Sequence, residues 1–422
     1  MTAIRNRFGA LLLPALRYIL AVMFLMALPV ASPAQLVIGQ YEDEAPLRSW
    51  NTFGMALAPS LGRGETRFAA ADDCSAALVN PALLLSLPKF SVCLNGSYSY
   101  ASLYRYSIIN TGVLLTEKNP AIGLYALDFG GISFSHKGWA IALTASLVES
   151  YDRPKVSARS YYQGIPYYDI SFGQTGYLRI YNLAVGRAFG RAVQAGIGFN
   201  FVQGELQREV IDRDFSEDIT ISQGVDQEYS GFYLNAGILA RLTARLDVAC
   251  VFRTPYDKKA EGQSRLRYQA PGGGTDILIE AASDDRCRQP WAAGLGVGYA
   301  ISENIRFVGD LAYFLWSQYR TKFFGENERR DFRDTFKAAA GGEYSLHARL
   351  FGHDAAIPLR LGISYDEQPM RIPDSAYTNL TAGAGIRWRG LVFDVGGLFG
   401  RESGSGSSLK TLRIASSLGV RL

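Results

Sequence analysis

Past residue 34 the chain has no run of the ~18 apolar residues from which a membrane-crossing helix is built, yet in segment after segment every second residue is apolar. Val193, Ala195, Ile197, Phe199 and Phe201 fall on one face, with Gln194, Gly196, Gly198 and Asn200 on the other. Trp291, Ala293, Leu295, Val297 and Tyr299 oppose Ala292, Gly294, Gly296 and Gly298; Leu380, Ala382, Ala384, Ile386 and Trp388 oppose Thr381, Gly383, Gly385 and Arg387. The same pattern runs through 232–241, 245–253 and 357–364. Successive side chains of a strand point to opposite sides, so each segment has one oily face and one polar or small face.

A soluble sandwich alternates in the same way, and three further features separate the two. The segments are about 10–15 residues long, against a typical ~5–6 for soluble strands and ~9–11 for a tilted membrane strand. Aromatic residues gather near segment ends, at Phe189, Phe252, Trp291, Tyr299, Tyr365, Trp388 and Phe399, as in the girdles at lipid–water interfaces. Connections alternate between short turns, near 190–191, 243–244, 302–303 and 389–390, and long polar stretches over 152–175, 205–228, 257–289, 320–331, 367–377 and 402–408. That alternation is expected of an outer-membrane barrel. The pattern predicts strands near 95–115, 121–134, 138–151, 176–189, 192–204, 229–241, 244–256, 290–301, 304–319, 332–347, 356–366, 378–389, 391–401 and 409–421. The first is open to a break within Tyr98–Leu115. The expected fold is therefore an all-β, antiparallel transmembrane barrel of about 14 strands. The even count puts both ends of the barrel in the periplasm.

The first 34 residues carry Arg5, Arg7 and Arg17 but no acid. An apolar stretch over Tyr18–Leu28 and a Ser32-Pro33-Ala34 cleavage-type site follow. This predicts a secretory signal peptide; a single membrane anchor would need a longer apolar core. The expected organisation is signal 1–34, a segment 35–92 without strong alternation, and barrel 93–422. Lys plus Arg is 43 and Asp plus Glu is 39, and loss of the leader's arginines brings the +4 chain close to neutral. Such a balance lacks the basic excess that binds nucleic acid. Four cysteines among 422 residues do not make a disulfide scaffold. Cys74, Cys93, Cys250 and Cys287 could still pair in an oxidising periplasm; Cys74 with Cys93 would tether hatch to first strand, but sequence does not fix the pairing.

Ahead of the strands lies Ala71-Asp72-Asp73-Cys74-Ser75-Ala76-Ala77-Leu78-Val79-Asn80-Pro81-Ala82. It resembles the hatch of the outer-membrane long-chain fatty-acid and aromatic-hydrocarbon transporters, the FadL family, and the resemblance implies that 35–92 is an N-terminal hatch (plug) inside the barrel 93–422. Arg253-Thr254-Pro255-Tyr256 with Lys258-Lys259, Leu315-Trp316-Ser317-Gln318-Tyr319, and Ile363-Ser364-Tyr365-Asp366 with Ile372-Pro373-Asp374-Ser375 resemble later blocks of that family in the same order. Two positions depart from it: Leu83 stands where glycine usually follows Asn-Pro-Ala, and the chain ends on Leu422 rather than an aromatic residue. The resemblance implies passive uptake of hydrophobic small molecules, long-chain fatty acids or aromatic hydrocarbons. The barrel would be gated by a hatch whose Asp72, Asp73, Asn80, Pro81 and Ala82 form the switch, and would release cargo sideways into the bilayer. Pro81 fixes its own φ and restricts Asn80 to extended geometry; taken alone, Asn-Pro would as readily begin a turn.

Among lumen-facing charges, Arg360 and Arg387 are candidates to meet a ligand carboxylate. The competing reading makes them, with Arg245, Asp247, Arg253, Arg306, Asp310, Arg333, Lys337, Asp394, Arg413 and Arg421, a charge network tying hatch to wall. Tyr161, Tyr162, Tyr167 and Tyr168 form a candidate external ligand patch or, equally, a lipopolysaccharide contact. The glycine pairs 196/198, 294/296 and 383/385 sit inside strands with no helix following, so they read as small lumen-facing residues rather than a nucleotide loop. His136, His347 and His353 lack metal or triad spacing, and no cofactor is expected. Asp284-Asp285 reads as a solvated loop cluster. The expected protein is a transporter, not an enzyme. Its expected partners are a hydrophobic ligand, outer-membrane lipid and lipopolysaccharide, and the barrel-assembly machinery, and it is expected to be a monomer. A structural or secretion barrel that binds another protein is the alternative.

Overall fold

The computed structural model describes residues 51–70, 72–102, 107–110, 113–116, 121–269, 276–323, 326–328, 331–371, 374–404 and 408–422. The expected signal peptide and residues 35–50 of the expected hatch lie outside them. Fourteen wall strands follow one another round a closed antiparallel ladder. They are β1 (Phe90–Ser102), β2 (Ala121–His136), β3 (Trp139–Ser150), β4 (Ile165–Phe189), β5 (Val193–Asp214), β6 (Ile219–Arg241) and β7 (Leu246–Arg253, continued as Tyr256–Gln269). The circuit continues with β8 (Asp276–Gln289, continued as Ala292–Ala300), β9 (Ile305–Phe314), β10 (Thr335–Leu350), β11 (His353–Arg371), β12 (Asp374–Trp388), β13 (Leu391–Ser403) and β14 (Lys410–Arg421). β1 closes on β14 from Ser91↔Arg421 to Ala101↔Thr411, and Phe90 and Leu422 exchange backbone hydrogen bonds of 3.1 and 2.9 Å. In hydrocarbon each unpaired backbone group costs several kcal/mol, and closure removes both edges at once. No helix among the described residues is long and apolar enough to cross a membrane.

The alternation sorts the side chains as expected. Leu143, Leu295, Leu311, Leu361, Leu380 and Leu418 all point outward and are about half exposed or more, while their chain neighbours face in. Exposed aromatics edge this band in two rows. Phe189 and Tyr181 on β4, and Tyr344 and Phe336 on β10, lie eight residues apart. At ~3.4 Å per residue and a tilt near 40°, that spacing gives an apolar belt roughly 20–25 Å high, the height a membrane barrel requires. Tight turns serve one end: Lys137-Gly138, Phe351-Gly352 and Arg389-Gly390 all have positive φ. Two successive left-handed residues make the turn whose twist matches antiparallel strands, and glycine takes the second at no steric cost.

Two expectations need correction. The first strand is Phe90–Ser102, starting earlier than read, and Ser107–Asn110 pairs with Val113–Thr116 as a separate small hairpin. The apolar residues of 108–115 had been merged with the wall because alternation carries no information about which ladder a strand joins. The stretches read as long loops are largely β ribbon. β4, β5 and β6 run for 25, 22 and 23 residues, Arg153–Tyr162 pairs back on β4, and Tyr256–Gln269 pairs with Asp276–Gln289 over its whole length. Above the belt both faces meet water, so the hydrophobic contrast that marks a strand disappears while its ladder continues. A membrane position should therefore be costly to charge. Leu361→Arg, at mid-belt, is expected to lower unfolding stability by about 2–4 kcal/mol, measured by urea titration in lipid vesicles, whereas Leu361→Met should change it little.

Candidate functional site: the hatch and its seat

Residues 51–89 fill the barrel towards its short-turn end. Their regular elements are brief: α1 (Ala58–Leu61), α2 (Ala76–Val79) and a 3-10 turn over Pro81–Ser86. Such short helices do not stand alone in water; tertiary contacts hold them. Phe53, Leu57, Phe68, Leu78, Val79 and Leu83 are buried within one apolar cluster with the inner wall. Leu83, the departure from the family's glycine, is part of that cluster.

The wall admits the hatch backbone because it lacks side chains there. Gly186, Gly196 and Gly237 are direct cross-strand partners on β4, β5 and β6, and the Asn80-Pro81-Ala82 segment lies across this bare row. A Cβ at Gly196 would fall 2.6 Å from the Pro81 carbonyl carbon and 2.7 Å from the Ala82 nitrogen, and one at Gly186 would fall 2.9 Å from the Pro81 oxygen. Gly341 and Gly362 are likewise partners, as are Gly383 and Gly396. They receive Arg63-Gly64 and the α1–Gly62 turn; Gly62 and Gly383 approach backbone to backbone. Gly294 and Gly296 make room for the Phe68 ring and its Cβ, each within 2.5 Å of an added methyl. The paired glycines of the sequence are thus a socket cut to the shape of the hatch.

Polar contacts fix the register of this fit. Asn80 is extended (φ −135°, ψ 91°) ahead of Pro81; its Nδ2 donates to the Phe68 carbonyl at 2.8 Å and its Oδ1 accepts from the Ala82 amide at 3.2 Å. Asn182, Asn200 and Asn235 run across β4, β5 and β6 as a relay: Asn182 Nδ2 donates to Asn200 Oδ1 (2.8 Å), Asn200 Nδ2 to Asn235 Oδ1 (2.7 Å), and Asn235 Nδ2 to the Ala77 carbonyl in α2 (3.0 Å). Sequence reading passed over this relay, since asparagine at every second position looks like any wet lumen face. Asp310 accepts the Arg67 and Phe68 amides (2.5 and 3.0 Å), Asn95 accepts the Ala58 amide (3.0 Å), and Arg306 donates to the Ala69 carbonyl (2.8 Å).

Charge completes the seat. Arg63 of the hatch grips Asp72 with both terminal nitrogens (3.0 and 2.7 Å) and reaches Glu343 of β10 at 3.4 Å. Arg360 joins Glu343 (2.7 Å) to Asp394 (2.6 Å), and Arg387 lies 3.6 Å from Glu343. Lys337 pairs with Glu65 at 2.8 Å and Asp366 at 3.4 Å. Arg421 donates to the Asp72 carbonyl. Burial alone would raise the Asp72 pKa, but the Arg63 guanidinium beside it holds the carboxyl well below the usual range. On Asp73 the pull of Arg421 is outweighed. Burial pushes its pKa up, against the Ser75 amide that it accepts at 2.8 Å. Arg253, Arg306, Asp310, Arg360, Arg387, Asp394 and Arg413 of the lumen-facing set therefore lie in or next to the seat, whereas Arg245 is exposed at a turn and Arg333 pairs with Asp374 at the opposite end. The tyrosine cluster is remote from the hatch. Tyr161 is exposed and Tyr167 and Tyr168 half-buried, beside the Gln163-Gly164 turn at the outer end of β4.

Above the hatch the inner face changes character. Leu178, Ile180, Val202, Leu206, Tyr229 and Phe314 turn inward and are buried, where a water-filled barrel would carry polar residues. Lys258 is buried among them, donating to the Tyr151 hydroxyl at 3.1 Å with its ammonium 4.4 Å from the centre of the Tyr229 ring.

Residues 184–407 match the family model described as outer membrane protein transport protein (OMPP1/FadL/TodX). The chain belongs to that family. The fold is shared with a Pseudomonas aeruginosa FadL homologue (TM-score 0.64, 14% identity, 88% of this chain and 99% of that one). It is shared too with the P. putida toluene transporter TodX (0.63, 13%, 89% and 99%) and the Ralstonia pickettii toluene transporter TbuX (0.61, 13%, 89% and 100%). No curated protein sequence matches the chain. Membership places this barrel in the outer membrane, among transport proteins.

Gly196→Val should drive the hatch off its row while leaving the wall ladder intact. The expected result is normal heat-modifiable migration of the folded barrel with raised ion conductance in planar bilayers. Arg63→Ala strands Asp72 without its cation and should destabilise hatch seating by about 3–5 kcal/mol, read as earlier hydrogen exchange of 51–89. Because the Asp72 pKa is depressed on folding, its contribution is fully present above the ordinary 3.8 and is lost as pH falls below that value. Conductance of the wild-type channel should accordingly rise on acidification below about pH 4 and not between pH 5 and 8.

Proposed function

We propose that this protein is a passive channel for hydrophobic small molecules across the outer membrane of a Gram-negative bacterium, with its short-turn end and both termini of the barrel in the periplasm. The observation that carries the reading is the change along the lumen, from an apolar, aromatic inner face to a glycine socket filled by the hatch. An oily solute gains by leaving water for the upper lumen, and the seated hatch denies it, and any polar solute, a straight path down. The relatives bearing toluene-transporter names support a cargo of this class.

In this proposal cargo leaves sideways, between β2 and β3. Their ladder runs from His136↔Trp139 to Phe129↔Ser146 and then stops. Among the described residues, β2 from Ala121 to Leu127 pairs only with β1, and β3 beyond Ser146 only with β4, across a register shift between Leu147 and Glu149. A seam without hydrogen bonds is the cheapest place in a closed wall for an apolar molecule to pass, since no ladder has to break. Asp72, Asp73, Asn80, Pro81 and Ala82 are assigned the gating movement. Arg360 and Arg387, each engaged with Glu343, are assigned to holding the hatch rather than to a ligand. Tyr161, Tyr162, Tyr167 and Tyr168 are assigned the first contact with cargo, and no chemical step is assigned to the protein.

Uptake of labelled long-chain fatty acid and of toluene, compared in cells with and without the gene, tests the cargo class: gene-dependent uptake of one or both is expected, and rates that are the same with and without the gene for both substrates would sink it. Leu127→Cys with Val148→Cys tests the exit. Crosslinking the pair across the seam should reduce uptake to the level of cells lacking the gene, and reduction should restore it.

A further inference from the structure

Two of the four cysteines meet where hatch and wall join. Cys93 faces inward on β1 and is buried, with Ser91 before it on the same face. Its cross-strand neighbours are both glycine, Gly131 on β2 and Gly419 on β14. The wall on either side of Cys93 is therefore bare, and Cys74, just ahead of α2, occupies the space. An added Cβ at Gly131 would stand 3.0 Å from the Cys74 Cβ. The Cys74 sulfur lies 3.4 Å from the Ser91 carbonyl and 3.6 Å from the Ser133 hydroxyl, and Ser91 and Ser133 are themselves paired across the ladder. Cys74 and Cys93 line one small cavity with Asp73, Pro59 and Arg421. All four cysteines are reduced in this structure. Cys250 lies exposed on the outer face, and Cys287 contacts Thr321 at 3.5 Å, far along the wall from β1.

We propose that Cys74 and Cys93 are joined by a disulfide in the secreted protein, tethering the hatch to β1 beside the periplasmic mouth. The inference rests on the orientation proposed above, which puts this end in an oxidising compartment. The co-reactant is a periplasmic protein disulfide. One cysteine thiolate attacks it to give a mixed disulfide, the second displaces the reduced carrier, and the Sγ–Sγ bond forms as both electrons and both protons leave on the carrier dithiol. The bond is made before the hatch is seated, while both thiols are accessible.

The tether would define how the hatch moves. It closes a loop running from Cys74 to Cys93 that contains α2, Asn80-Pro81-Ala82 and the 3-10 turn, and it pins the foot of that loop to the wall. Residues 75–89 can then rearrange within the barrel, lifting Asn80-Pro81-Ala82 from its glycine row, but the hatch as a body cannot leave through the periplasmic mouth. The gate opens in place.

The test is thiol mapping of the full-length protein extracted from outer membranes, alkylated under denaturing conditions before and after reduction and read by peptide mass spectrometry. The expected result is that Cys250 and Cys287 are labelled at once, Cys74 and Cys93 only after reduction, with a linked peptide pair two hydrogens lighter than its parts. Labelling of all four before reduction, or linkage of Cys74 to any other thiol, overturns the bond. Uptake by the oxidised protein is then compared with that of Cys93→Ser, with heat-modifiable migration confirming that the variant folds. Gene-dependent uptake in the oxidised form is expected; uptake only by the reduced or Cys93→Ser protein would overturn movement in place. Uptake by neither form would count against the channel reading and leave the mapped bond standing.

Discussion

A peptide group in hydrocarbon has nothing to bond with except another peptide group, and everything else in this structure answers to that constraint. It forces the wall to close from Phe90 round to Leu422, which leaves an interior wide enough to leak. A barrel of 14 strands cannot fill its lumen with its own side chains as one of eight can. The chain supplies the missing material from its N-terminal segment, and the wall is carved to accept it. Two opposite packing solutions therefore share each strand, bulky apolar residues pointing to lipid and glycines or short polar residues pointing to the hatch.

The hatch is held by many modest contacts rather than one strong one. Short helices at Ala58–Leu61 and Ala76–Val79 have little stability of their own. The Asn182–Asn200–Asn235 relay, the Asp310 carboxylate and Thr381, which accepts the Gly64 amide at 2.8 Å, satisfy backbone groups that a buried loop would otherwise leave bare. The Arg63–Asp72 pair and the Arg360 bridge add charges whose desolvation costs offset much of their attraction. Such pairs contribute less to tightness than to uniqueness of position, since misplaced by a few ångströms they become unpaired buried ions.

The wall was legible in the sequence because lipid on one side and hatch on the other impose period two. The alternation at 193–201, 291–299 and 380–388 placed those strands correctly, and the glycine pairs within them were rightly read as inward-facing. Above the belt the same strands became invisible: over residues 207–226 no side chain is buried on either face, so nothing in their order of polar side chains distinguishes a ribbon from a loop. The start of β1 was misplaced for a related reason, since Ile108, Ile109, Leu114 and Leu115 carry apolar character into a hairpin outside the wall. The hatch was legible only as a resemblance around Asp72-Asp73 and Asn80-Pro81-Ala82. Its partners Asn235, Asp310 and Gly237 come from strands far away in the chain, and no local pattern joins them.

The glycine socket bears on how such proteins diverge. A lipid-facing position accepts any greasy residue, so half of each strand can drift almost freely in identity. A socket glycine such as Gly196 accepts nothing larger than a hydrogen atom, and a change there needs a matching change in a segment more than a hundred residues distant. Barrels agreeing at only 13–14% of their residues can still be superimposed over nearly their full length.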